Sequence, residues 1–342
     1  MAKAIICAVL ALALVMAGPP LVRHIETQIV AWQASQSDTP APPQEAQTPS
    51  YTEQLASPGA RDTLETTLYY RFAQTEALGA QRATLDLRRD ETVASLIVSQ
   101  LIEGPAASHD KLSGLFPQGT QLLSATGDGS TAFVTLSSAF LGRPDGAPGD
   151  WEDIAAWQEE AALRRKLAVQ SIALSLTEGG RYQRVQLYVA DSDDDLPQRI
   201  YMYWFNWSDQ TLTEASSVLG PCGRDETFLL TPRRALTMIM EAWQRSDWAA
   251  LYALLSQGNE AMPSLSAFEA QMREIDEALL SYEVSEGTVS FDGQSATLVL
   301  DAQLRSAEGG DAQIIRESVP LTRVMDNWTM TIPTLLSLMI RD

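Results

Sequence analysis

Hydrophobic positions along this chain change period several times, and each change marks an element. Behind the basic start Met1–Lys3, "AIICAVLALALVMA" (4–17) is an unbroken apolar or small run. Its length suits the hydrophobic region of a signal peptide better than a membrane span of about 20 residues. Residues 1–22 are therefore expected to be a signal peptide or signal anchor, with Val15-Met16-Ala17 as the place for cleavage. Residues 23–63 follow, centred on "DTPAPPQEAQTPS" and poor in large apolar residues. Burial there cannot offset the entropy of ordering, so a disordered Pro/Ser/Thr/Gln-rich tether is expected.

Period-two patterning begins near Leu64. "TTLYYRF" (66–72) predicts a strand, and Ala83, Leu85 and Leu87 a second. Val93, Leu96, Ile97 and Leu101 share one face of a helix over 91–102, with Asp90 as cap and Gly104-Pro105 as stop. Between "QLLSAT" and "STAFVTLSS", Gly127-Asp128-Gly129 predicts a hairpin with Asp-Gly in a type I′ turn. A long helix is expected behind an Asp150 cap, with Glu152 and Asp153 in its first turn and Ala168, Ile172 and Leu176 four apart. "QRVQLYV" (183–189) and the aromatic "RIYMYWFNW" (199–207) read as strands on either side of the acidic turn "DSDDD". Together these predict an α+β domain over 64–217, a small mixed sheet with helices packed on it and an aromatic strand extension.

Gly and Pro punctuation in "SSVLGPCGRDE" predicts a linker at 218–227. Beyond it Leu236, Ile239, Met240 and Trp243 keep helical spacing. Ser246 or Asp247 is expected to cap a second helix with Trp248, Leu251, Leu254 and Leu255 inward, and Leu265 to Leu280 suggest a third. "SYEVSEGTVSF", "SATLVLDAQL", "AQIIRESVPLTRV" and "NWTMTIP" then alternate as strands. Helices followed by a curled antiparallel sheet predict an α+β cone over 228–342.

Charge and rare residues narrow the chemistry. Forty-four acidic against 24 basic residues, a net charge of −20 in 342 residues, repel phosphate backbones, so nucleic acid is not an expected partner. The two cysteines are Cys7, inside the apolar run, and Cys222, so neither an internal disulfide nor a cysteine zinc site is expected in the folded part. His109 beside Asp110 is the start of a general-base pair, yet "AASHDKLSG" carries no nucleophile elbow and reads as an exposed polar loop. His24 lies near the apolar run. "DSDDD" (191–195) lacks the glycine and the twelfth-position glutamate of a calcium loop. Gly179-Gly180 and Gly309-Gly310 read as turns, and Asn206 and Asn327 head N-x-Ser/Thr triplets. No catalytic residue, metal or cofactor is expected. In the aromatic segment, alternation sets Tyr201, Tyr203, Phe205 and Trp207 against Met202 and Trp204; helices above and below would bury both sets as core, and otherwise one set forms a contact surface, Met202 and Trp204 being the candidates.

These segments then fall into a recognisable order. "LYYRF", "LIEGP" (101–105), "LFPQGTQLLSA" (115–125), "GSTAFVTLSSAF" (129–140), "SIALSLTE" (171–178) and "RVQLYV" (184–189) resemble the GerMN domain of sporulation and germination proteins over residues ~64–191. Glu103, Gly104 and Pro105 at the helix end, and Pro117, Gly119 and Thr120 in the following turn, are the shared structural motif. Ala190-Asp191 depart from it, where a glycine often follows the last strand. "ALTMIMEAWQRSDWAALYALL" (235–255) with "NWTMT" resembles an NTF2-like, or cystatin-like, domain. The resemblance implies an exported or anchored protein that works by contact; Gly18 stands where a lipoprotein would need cysteine. The expectation is a non-enzymatic, extracytoplasmic, membrane-tethered protein of the bacterial cell envelope, acting in protein–protein assembly during sporulation or germination. Its expected partners are envelope or sporulation proteins, itself, or peptidoglycan, with the membrane reached through the N-terminal segment only. The alternatives are a peptidoglycan or glycan binder using the aromatic segment, and a small-molecule binder or acid–base enzyme in the cone, where Trp243, Trp248, Tyr252 and Trp328 read as core and Asp247 as a cap.

Overall fold

A computed structural model describes residues 62–205, 217–257, 261–275, 277–306 and 312–340. The expected signal segment and most of the tether, together with Asn206, Trp207 and Gly309-Gly310, lie outside the described residues. No helix among the described residues is long and apolar enough to cross a membrane.

β1 (Asp62–Phe72) and β2 (Leu78–Leu87) form a long antiparallel ribbon, with Tyr69 opposite Ala80 and Arg71 opposite Leu78. Its β-branched and aromatic residues suit a pleated, half-buried surface, and Leu68, Tyr70 and Phe72 are buried. The ribbon turns through Ala73 and Gln74, both left-handed (φ 46° and 58°). Arg71 holds that turn, donating from Nε to the Thr75 carbonyl (2.8 Å) and from Nη2 to the Gln74 carbonyl (2.9 Å), and it pairs with Glu160. The two-residue strand β3 (Leu112–Ser113) joins β1 at Arg71 and Phe72.

α1 (Val93–Glu103) starts later than its pattern suggests. Thr92, not Asp90, is the cap: its hydroxyl accepts from the Ser95 N–H (3.0 Å) and donates to the Ala125 carbonyl (3.0 Å), so the helix is tied to the neighbouring sheet where it begins. Gly104 ends it at φ 101°. β4 (Leu122–Asp128) and β5 (Thr131–Ser137) make the expected hairpin, but the loop is Gly129-Ser130 rather than Asp128-Gly129. Gly129 alone has positive φ (57°), which matches glycine at the first central position of a type II′ turn.

α2 (Ala155–Thr177) crosses from β5 to the parallel strand β6 (Arg184–Ala190). Asp150 does not cap it; a 3₁₀ turn at Trp151–Asp153 buries Trp151 first, and Ile154 is the residue before the helix. Every residue from Ser171 to Thr177 is buried, as fits a helix with a layer on both sides. One layer is the ribbon, and the other is a mixed sheet in the order β4-β5-β6-β7, with β7 at Gln198–Arg199 and β8 (Cys222–Gly223) also on β6. The strands of this first lobe therefore divide into two sheets. Among the described residues of the aromatic segment, Arg199 ends β7, Tyr201 bridges to Val218, and Met202–Phe205 coil into a 3₁₀ turn in place of the expected strand.

In the second lobe Thr231 caps α3 (Pro232–Gln244), and Asp247 caps α4 (Trp248–Leu254) through the Ala250 N–H (3.1 Å). Leu255 leaves the helix for β9 (Leu255–Ser256). α5 (Leu265–Glu274) ends before Leu280, because Leu279 is buried from a strand, β10 (Glu277–Val284). β11 (Thr288–Val289), β12 (Ser295–Ser306), β13 (Gln313–Val324) and β14 (Asn327–Thr331) complete a six-stranded sheet in the order β10-β12-β13-β14-β9, with β11 on β12. The chain then enters α6 (Ile332–Met339), capped by Thr331 with Pro333 in its first turn, where sequence patterning had shown only the end of a strand. The whole is α+β, and Ala60–Asp342 gather into one compact unit.

The lobes meet along β2. Asn327 is 4% exposed; its Oδ1 accepts from the Ala80 N–H (2.8 Å), and its Nδ2 donates to the Ala80 carbonyl (2.9 Å) and to the Met325 carbonyl (2.6 Å). Asp326 accepts from the Arg82 N–H (3.1 Å) and pairs with the Arg82 guanidinium (3.2 Å). Directly across the ribbon, Ser175 accepts from the Tyr69 N–H (3.2 Å) and Ser171 donates to the Tyr69 carbonyl. At the Tyr69–Ala80 pair, both open edges of the ribbon are thus closed by side chains, α2 on one side and the β13–β14 turn on the other.

Candidate functional site

The aromatic turn is held from beneath by Arg165 of α2, which is 2% exposed. Its guanidinium lies 4.9 Å from the Trp204 ring centroid and 5.7 Å from that of Trp151, and donates to the Leu141, Gly142 and Trp204 carbonyls (2.7, 3.2 and 3.3 Å). Burial brings its pKa down to about 10. Above this anchor Tyr201 stacks on Tyr203 (centroids 5.9 Å, planes 19° apart), and Tyr203 leans on Trp204 (4.9 Å). Met202 and Trp204, the residues singled out from sequence, are half-buried against the core, while Tyr201 is open to solvent. A depression of about 570 Å³ runs from Tyr201, Tyr203 and Trp204 to the acidic turn at Asp191, Asp194 and Asp195. Ring faces beside carboxylates suit a polar ligand with an apolar face, or a basic contact.

The motif residues serve the backbone. Gly104 caps α1 through the Gln100 carbonyl (3.2 Å), and exposed Glu103 and half-buried Pro105 flank that cap. Thr120 donates from both N–H (3.1 Å) and hydroxyl (2.7 Å) to the Pro117 carbonyl across a turn in which Gly119 adopts φ 88°, the type II position that favours glycine. His109 is half-buried, with its Nδ1 3.2 Å from the Ser108 hydroxyl, and exposed Asp110 adjoins it. Gly179 and Gly180 are left-handed turn residues (φ 67° and 73°). Among the described residues no group of three or more His, Cys, Asp or Glu is placed to hold a metal ion. Cys222 is unpaired, and burial pushes its thiol pKa up.

Inside the second lobe, buried Trp243, Trp328, Leu298, Leu300, Leu321 and Phe268 occupy the interior, and no buried carboxylate accompanies them among the described residues. Trp248 and Tyr252 pack partly buried against this core. Sequence reading missed two features. One is Asn327, whose triplet looked like an acceptor motif and whose side chain is spent on β2. The other is a groove of about 650 Å³ between the lobes, where Lys111 and Ser113 face Tyr252, Met262, Val324 and Met325. No local signal foretells either, since each is made by segments far apart in the chain.

Residues 67–195 match the model of a family named Germane, described as sporulation and spore germination. No curated protein matches the chain. Among solved structures, the tandem GerMN domains of the sporulation protein GerM from Bacillus subtilis share 16% identity over 42% of this chain and 48% of that one, with a TM-score of 0.28. The first GerMN domain of that protein shares 16% identity over 38% of this chain and 84% of that one, at TM-score 0.25. A protein of the NTF2-like family from Streptomyces avermitilis shares 18% identity over 28% of this chain and 85% of that one, at TM-score 0.21. The chain spans about half the length of the tandem-domain structure. Residues 67–195 are thus GerMN-like, similar to a family whose description is sporulation and spore germination.

Proposed function

We propose that this protein works by contact rather than by chemistry, as a membrane-tethered component of the bacterial envelope that assembles with other proteins during sporulation or germination. The observation that carries this reading is the Germane match over residues 67–195. Support comes from where the unusual residues go. Gly104, Gly119 and Thr120 build turns, Arg71 and Arg165 hold backbone carbonyls, and Trp243 and Trp328 fill the interior of the second lobe. Tethering rests on the apolar run at 4–17 and the Pro-rich stretch behind it. Crosslinking in living cells, followed by identification of the captured protein and fractionation of a tagged copy, tests both halves. Envelope proteins should be captured, and recovery of the tagged protein in the cytosolic fraction would refute the reading.

The stacked Tyr201–Tyr203 pair favours one alternative, a glycan platform. Binding to purified peptidoglycan that Trp204→Ala leaves unchanged would dispose of it.

A further inference from the structure

We propose that the groove between the two lobes, with Lys111 and Ser113 at its wall, binds a small apolar carboxylate. The idea stands apart from the assembly role above, since it concerns a different face. The groove's volume of about 650 Å³ lies in the range of small-molecule sites, which favour domain junctions. Most of its wall is apolar: Leu112, Tyr252, Met262, Val324 and Met325, with Val324 and Met325 43% and 55% exposed at the rim.

Lys111 and Ser113 flank Leu112 in this wall. Lys111 donates to the Leu255 carbonyl, which occupies one of its three N–H bonds and joins the lobes. The Ser113 hydroxyl is buried and has no hydrogen-bond partner. That hydroxyl is closed off from the groove, so the donor a ligand can meet there is the Lys111 amine. Among the described residues lining the groove, Lys111 is the one cation and Asp110 the one carboxylate, with the Tyr252 phenol facing from α4. Burial lowers the Lys111 pKa to about 8, although the Asp110 charge works the other way. A carboxylate seated beside the amine would stabilise the ammonium that burial disfavours, and would accept from Lys111. An apolar tail would then lie on the methionines, whose thioethers adapt to irregular shapes.

Two linked consequences follow. Binding should require the negative charge of the ligand. It should also weaken as pH rises through the free Lys111 pKa, because the bound form needs the protonated amine.

The test uses the full-length protein and 4-phenylbutyrate as probe, with 4-phenylbutanamide as its neutral counterpart, by titration calorimetry. Saturable binding of the carboxylate, at least about tenfold weaker for the amide, is expected. Affinity should fall by about tenfold between roughly pH 7 and pH 9.5. Lys111→Met should abolish the pH dependence and weaken binding at least about tenfold. No saturable binding of 4-phenylbutyrate, equal binding of acid and amide, or affinity flat across that pH range would each overturn the proposal. The last two are read on the wild-type protein and do not depend on whether a variant folds.

Discussion

Replacing Asn327 by alanine probes the junction of the lobes most directly. The substitution removes the partner of the Ala80 N–H, the Ala80 carbonyl and the Met325 carbonyl at a residue 4% exposed. An orphaned buried donor costs about 1–3 kcal/mol and the carbonyls add to it, so a loss of about 2–4 kcal/mol is expected. For a unit of this size that is a drop of roughly 5–15 °C in Tm. Met325 and Asp326 hold left-handed φ (48° and 65°) in the same turn, so their strain loses its restraint as well. Urea denaturation followed by tryptophan fluorescence gives the number. Asn327→Asp supplies a control of equal shape: it keeps the acceptor but turns an oxygen toward two carbonyls, and should harm at least as much as alanine. A double-mutant cycle isolates the contact. A Cβ on Gly79 would meet Asn327 Oδ1 at 2.4 Å and Leu112 Cδ2 at 2.7 Å, so Gly79→Ala should cost less once Asn327 is already alanine. A loss below about 0.5 kcal/mol for Asn327→Ala, or strict additivity with Gly79→Ala, would refute the view that this side chain docks the lobes.

Other substitutions read other parts of the molecule. Arg165→Met leaves three backbone carbonyls without their donor and frees the aromatic turn; it should cost about 3–5 kcal/mol by urea denaturation and shift tryptophan emission to the red. Burial pushes the Glu160 carboxyl up, but the Arg71 and Arg164 guanidiniums outweigh it and hold it below the ordinary carboxylate value. The folded protein therefore takes up this proton later than the unfolded chain. Its contribution is complete above the unfolded pKa and disappears as pH falls through the folded one, so the urea midpoints of wild type and Glu160→Gln should lie furthest apart above the ordinary carboxylate pKa of about 4.3 and draw together as pH falls below it. Lys111 behaves in the opposite window. Its folded pKa is lowered to about 8, so the unfolded chain binds more protons between that value and its ordinary one near 10.4. Stability relative to Lys111→Met should rise with pH across that interval and stay flat below it; a fall would contradict burial of the amine.

Much of the framework was legible in order and type. Period-two patterning located β1, β5, β6 and β12, and helical spacing located α1, α3 and α4. The boundaries shifted where a tertiary contact captured a cap: Thr92 displaced Asp90 because its hydroxyl also reaches the Ala125 carbonyl, and the burial of Trp151 delayed α2. The aromatic segment was misjudged because alternation in seven bulky residues cannot distinguish a strand from a coil wrapped round a buried arginine. Only the folded chain put Arg165 beneath Trp204.

Hydrophobic period, glycine at turns that need positive φ, and proline or threonine at helix ends are local properties, and they determined the α+β class and the turn at Pro117–Thr120 without help from distant residues. What covers each open strand edge is not local. Asn327 and Ala80 are 247 positions apart, and Lys111 lies 144 from the carbonyl it reaches. Periodicity states which face of an element is buried, but it carries no record of the partner. The closing of the ribbon's edges, the junction of the lobes and the groove beside Lys111 were therefore settled by tertiary packing alone.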